Sequence, residues 1–186
     1  MFAQRGFDGT PLQEIADAVG VAKPSLLYHF PSKDVLRQAV LEATLARWNE
    51  VLPRLLLAAT SGEGQFHAVV EEVVRFFEAD PDQARLLLRE LLDRPNEVVG
   101  LIRTHVAPWV EVVAQHIRKG AEKGKIHPDV DPEAYVAHTI GLVLCGFATY
   151  EAFRELMPRD RHIAELLRIA KSSLFRSPYS QANEEG

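Results

Sequence analysis

Residues 10–33, TPLQEIADAVGVAKPSLLYHFPSK, confine the start of this chain to two short helices joined by a tight turn, with a third helix following. Thr10 is the expected N-cap, Pro11 the first helical residue, and Gln13 the far member of a T-x-x-Q capping box. Leu12, Ile15, Ala16 and Val19 recur at helical spacing and predict one apolar face. Gly20 supplies a residue that ends a helix at positive φ. After Val21 and Ala22 a second helix is expected near Lys23–Pro24, with Leu26, Leu27 and Phe30 on one face and Ser25, Tyr28 and His29 on another. Two short helices about a Gly-containing turn form a helix-turn-helix pattern, and its second helix is the candidate reader of a DNA major groove.

The remainder carries helical periodicity bounded by Pro, Gly and Asp, with no repeat and no strand pattern, so the expected fold is all-α. Met1–Gly6 is expected as the last turns of a helix, with Phe7 in the core. A helix capped by Ser32, with Val35, Leu36, Ala39 and Val40 inward, is expected to run past Trp48 to Pro53, before a break at 55–64. Further helices are expected over about 65–79, 82–93 and 96–123, the last kinked by Pro108 and ended by Gly124. Asp131 is the expected N-cap of a helix starting at Pro132 and reaching about Met157, apolar nearly all round and therefore buried. A final helix is expected over about 159–175. Two units follow: a head over 1–44 and a body over 45–186.

The net charge of −5 argues against a surface that binds nucleic acid throughout. Residues 1–40 are neutral, with Arg5, Lys23, Lys33 and Arg37 against Asp8, Glu14, Asp17 and Asp34, so the whole deficit lies after residue 40. A single cysteine, Cys145, excludes an internal disulfide and suits the cytoplasm. No secretory signal is visible, and no uninterrupted apolar run is expected to span a membrane.

FAQRGFDGTPLQEIADAVGVAKPSLLYHFPSKDVLRQAVLE, residues 2–42, resembles the DNA-binding domain of TetR-family (tetracycline-repressor-like) transcriptional regulators. The resemblance rests on Arg-Gly before the first aromatic, Ile-Ala in the next helix, Gly-Val in the turn, and His-Phe-Pro-Ser-Lys leading into the fourth helix. GAEKGKIHPDVDPEA is similar to the segment that precedes the dimerisation helices in many members. The resemblance implies a homodimer that binds a palindromic operator, usually as a repressor. A small-molecule effector in the helical body tilts the fourth helix and misaligns the two heads. The family's first helix ordinarily begins well before the position of Met1, so a truncated first helix is expected here. Ala22 stands where a Ser or Thr usually caps the recognition helix, and Leu27 where a Tyr is frequent.

Within that frame Lys23 and Lys33 are candidate phosphate clamps, Pro24, Ser25 and Tyr28 candidate base contacts, and His29 and Thr10 candidate phosphate contacts. Trp48, Phe66, Phe77, Arg89, His105 and Trp109 are candidate effector-pocket residues, each also readable as ordinary packing or surface. Gly141, Leu142, Cys145, Gly146, Tyr150 and Phe153, with Leu166 and Ile169, are the candidate dimer seam. The histidines lack ligand spacing, so no metal is expected, and no cofactor. No phosphate loop or nucleophile motif points to an enzyme. A second reading is a helical dimeric ligand-binding protein whose incomplete head no longer binds DNA.

Overall fold

The structure is a computed structural model that describes residues 1–58 and 62–176, with the side chains of 1–47 and 68–176. Among the described residues ten α-helices follow one another: α1 Phe2–Arg5, α2 Leu12–Ala18, α3 Lys23–His29, α4 Lys33–Ala58, α5 Gly62–Ala79, α6 Pro81–Asp93, α7 Pro95–Leu101, α8 Ala107–Glu122, α9 Pro132–Phe153 and α10 Arg159–Ser172. Among the described residues the sole extended pairing is a bridge between Ile126 and Phe175.

Local signals set most boundaries. The α2 end is a Schellman turn: Gly20, at φ 72°, donates its N–H to Asp17 and Val21 donates to Ala16. Asp80 caps α6 by accepting from the Asp82 N–H, and Asp131 caps α9 by accepting from the Ala134 N–H. Proline explains the division of the long segment expected over 96–123. Pro108 has no N–H for the Thr104 carbonyl, and the chain answers with a π-helical turn, Ile102–Val106, in which the Ala107 N–H reaches back to Ile102.

Other expectations are corrected. Thr10 does not cap α2: Pro11 holds that position, the fully buried Thr10 hydroxyl donates to the Gly6 carbonyl at 2.7 Å, and Gln13 bonds Asp17. Val19 is 63% exposed, because α2 ends there and the turn carries it outward. In α4 the inner face is Leu36, Arg37, Leu41, Thr44 and Leu45, while Val35 and Val40 face solvent. The α9 helix, 22 residues with mean hydropathy 1.3, is long and apolar enough by length and composition to cross a membrane, contrary to expectation. It is not enclosed: α6 and α8 pack against it, yet most of its residues keep some exposure.

Among the described residues three apolar clusters hold the fold. Phe2, Ala3, Ala16, Leu26, Leu36 and Leu41 unite the first four helices and include Leu86 of α6. Phe77 and Phe147 centre the second, between α5, α6, α9 and α10. Val113, Ile117, Ile126, Val136 and Leu174 form the third, where the segment after α10 closes on α8 and α9. Burying such side chains contributes about 1.5–3 kcal/mol each.

Candidate DNA interface and effector cavity

The α3 helix is held by one buried side chain, Leu26, and presents Lys23, Pro24, Ser25, Tyr28 and His29 to solvent. Tyr28 is 84% exposed, its ring edge-on to His29 at 5.3 Å. No side chain caps α3, as Ala22 implies. Lys33 is half-buried and sits 4.4 Å from the Phe7 ring centroid, which fixes its amine at the head of α4. Thr10 leaves the DNA-facing set, because its hydroxyl is buried and already bonded. Val19 and Val21, which the sequence reading passed over as surface residues, stand exposed at the turn beside α3.

Head and body are joined through α6 and α7 by charge. Arg37 of α4 is bonded to Glu90 of α6 and Glu97 of α7; the Arg37 and Glu90 side chains are only 6% and 7% exposed. Burial opposes the Arg37 charge, but the hydrogen bonds and Coulomb attraction of Glu97 and Glu90 outweigh it and raise its pKa above the ordinary guanidinium value. Arg94 bonds Asp34 at 3.4 Å and lies over the Phe7 ring. Arg89 donates to the Ala3 carbonyl at 3.2 Å and so belongs to this junction; it does not line the α5–α8–α9 cavity described below.

A cavity of about 80 Å³ opens between α5, α8, α9 and the segment after α10. One face of α8 lines it with Trp109, Val113, His116, Ile117 and Gly120. Val69, Val70 and Val73 come from α5, and Tyr135, Val136, Thr139, Ile140 and Val143 from α9. Ile126, Leu174 and Phe175 close one end, beside Lys125. Burial raises the Tyr135 pKa, against hydrogen bonds with Thr139 and Ser173 that lower it, and its hydroxyl donates to the Ala170 carbonyl. Of the expected pocket residues, Trp109 lines this cavity. Phe77 is spent in the second core cluster, and His105 lies on the π turn away from the lining. Trp48 and Phe66 lie outside the described side chains. Sequence reasoning missed the α9 and post-α10 walls, because their residues read as plain core.

The expected dimer seam divides. Gly146 faces α10 of its own chain: a Cβ there would stand 3.1 Å from Leu166 and 3.2 Å from His162. Leu142 is half-buried against the core, and Tyr150 lies beside His162 with ring centroids 5.2 Å apart. Outward stand Gly141, with open space around it, exposed Cys145, Phe153 and Ile169. Cys145, a residue of the expected seam, faces out because Val143, Leu144 and Phe147 take the inner side. Leu156, 78% exposed at the α9–α10 corner, extends this surface. Among the described residues no His, Cys, Asp and Glu group could hold a metal ion.

The sequence profile described as "Bacterial regulatory proteins, tetR family" matches residues 1–40, and that described as "Tetracyclin repressor-like, C-terminal domain" matches residues 63–174. The chain is 30% identical over 154 residues to the HTH-type transcriptional regulator RutR of Escherichia coli, covering 82% of this chain and 69% of that protein. The chain belongs to the TetR family. Its fold matches two solved TetR-like regulators across nearly their whole length. KstR2 of Mycobacterium tuberculosis superimposes with TM-score 0.72 at 17% identity, covering 95% of this chain and 90% of that one. FadR of Bacillus subtilis, solved with stearoyl-CoA, gives 0.73 at 14%, covering 92% of each. These TetR relatives and neighbours are transcriptional regulators and not enzymes.

Proposed function

We propose that this TetR-family regulator acts as a cytoplasmic homodimeric repressor on a palindromic operator, and that a small molecule in the α5–α8–α9 cavity releases it. The head is residues 1–44 and the body 45–186. One observation carries the DNA reading: α3 anchors through Leu26 alone and leaves its polar face free along its whole length. On that face Pro24, Ser25 and Tyr28 read base edges, Val21 offers an apolar contact to a thymine methyl, and Lys23, His29 and Lys33 meet phosphates.

The outward small-residue stripe of α9, including Ala134, Ala137, Gly141 and Cys145, supports pairing with a second copy. Small side chains admit a close backbone, and Phe153, Leu156 and Ile169 supply the apolar area.

The route from cavity to head is mechanical. Trp109 opens α8, α8 continues through the π turn into α7, and α7 carries Glu97, which holds Arg37 on α4. A ligand that spreads α8 from α9 shifts this train and tilts α4, moving two heads that must meet successive grooves about 34–36 Å apart. FadR of Bacillus subtilis, a regulator of this fold solved in complex with stearoyl-CoA, supports a ligand-responsive reading.

The test is a gel shift on DNA flanking the coding region. The expected result is a discrete complex of two chains per duplex, lost with Tyr28→Ala on that DNA. A shift absent at micromolar protein would instead favour a helical dimer that does not bind DNA.

A further inference from the structure

The cavity wall is apolar apart from a few groups whose bonding differs in an informative way. Tyr135 is satisfied by the Ala170 carbonyl, and His116 Nδ1 meets the Val112 carbonyl at 2.8 Å. Two donors have no partner among the described residues. The indole Nε1–H of Trp109 is buried and accepted by nothing. The Lys125 amine, exposed at the closing end, forms no ion pair. At the end of α8 the Ala121 carbonyl accepts the Gly124 N–H and the Gly120 carbonyl the Lys125 N–H. Arg118 adds no second cation, being bonded to Glu111 and Glu133. Among the described residues no aspartate or glutamate lines the cavity.

These groups define a ligand. The absence of lining carboxylates disfavours a cation, and one unpaired amine matches a single negative charge better than a phosphate dianion. The lined face of α8 runs from Trp109 to Gly120, about 16 Å along the helix axis. An occupant that follows this face is therefore elongated. The buried indole donor lies at the end of that face far from Lys125, and calls for an oxygen there.

Resting on the reading of this cavity as the effector site, we propose that it takes an elongated aliphatic carboxylate. The carboxylate meets Lys125 at the end bounded by Ile126, Leu174 and Phe175, the chain lies along Val69, Val73, Ile117 and Val143, and an oxygen near its far end accepts from Trp109 Nε1.

Calorimetric titration of the whole protein with decanoate, 10-hydroxydecanoate, decanol and decylamine tests this. Decanoate is expected to bind at least tenfold more tightly than decylamine. Lys125→Gln should weaken decanoate about tenfold and leave decanol unchanged, with Lys125→Arg restoring decanoate. The hydroxylated acid should bind more tightly than decanoate, and Trp109→Phe, which keeps the ring, should erase that difference; circular dichroism confirms that each variant folds. Decylamine binding as tightly as decanoate, insensitivity to Lys125→Gln, an advantage of the hydroxylated acid that survives Trp109→Phe, or no binding of any probe would overturn the proposal. DNA release is read separately: decanoate that binds as described without displacing DNA leaves the ligand assignment intact and overturns the effector reading.

Discussion

Replacing Arg37 by Met removes the buried cation between α4 and the α6–α7 corner. Glu90 then stays 7% exposed at its side chain with no countercharge. Leaving a buried charge unpaired costs about 3–5 kcal/mol. Glu90→Leu costs less, about 1–3 kcal/mol, because Arg37 keeps half-exposed Glu97. Replacing both puts two apolar groups where a buried ion pair stood, which is commonly neutral or stabilising. The double variant should therefore lie within about 1 kcal/mol of the wild type, with a coupling energy of several kcal/mol. Urea unfolding followed by circular dichroism, at one fixed protein concentration, measures all four proteins. Additive losses, or an Arg37→Met cost below about 1 kcal/mol, would refute the claim that this buried pair ties head to body.

Other perturbations separate roles assigned to neighbouring residues. Lys23→Ala should weaken binding to all duplexes alike and reduce the salt slope by about 1, whereas Tyr28→Ala should change which sequences are preferred; anisotropy titrations at several salt concentrations distinguish them. Gly146→Leu should cost about 1–3 kcal/mol of stability by driving into Leu166 and His162. Gly141→Glu, entering open space, should leave the unfolding free energy per chain nearly unchanged and shift sedimentation toward monomer. Burial and the Arg159 charge lower the His162 pKa, against a backbone bond at Gly146 that raises it. Its contribution is thus fully present above the unfolded value of about 6.5 and is lost as pH falls through the lowered folded pKa. The melting temperature should drop over that window, and His162→Phe should flatten the drop.

Features written within a few residues were legible in the sequence. Gly20, Asp131–Pro132 and the Leu26 face of α3 obey rules that act over one helical turn, and the structure follows them. Thr10 misled because the buried fold of the α1–α2 turn claimed its hydroxyl before α2 could. Arg37 could not be read as an inner-face residue, since its partners stand 53 and 60 positions away. The cavity escaped for the same reason: its walls come from four separated segments, and valines that line a cavity look like valines that fill a core. Gly146 was placed in the dimer seam as a small residue, but spacing along α9 does not say whether the helix that approaches it belongs to the same chain, as Leu166 and His162 do, or to another.

The most direct test of the central claim is selection of bound duplexes from a random pool by the whole protein, followed by measurement of the stoichiometry on the selected sequence. The account predicts enrichment of a palindrome whose half-sites lie about 34–36 Å apart, bound by two chains and lost with Tyr28→Ala. Failure to enrich any sequence, or a single chain bound to an asymmetric site, would contradict it.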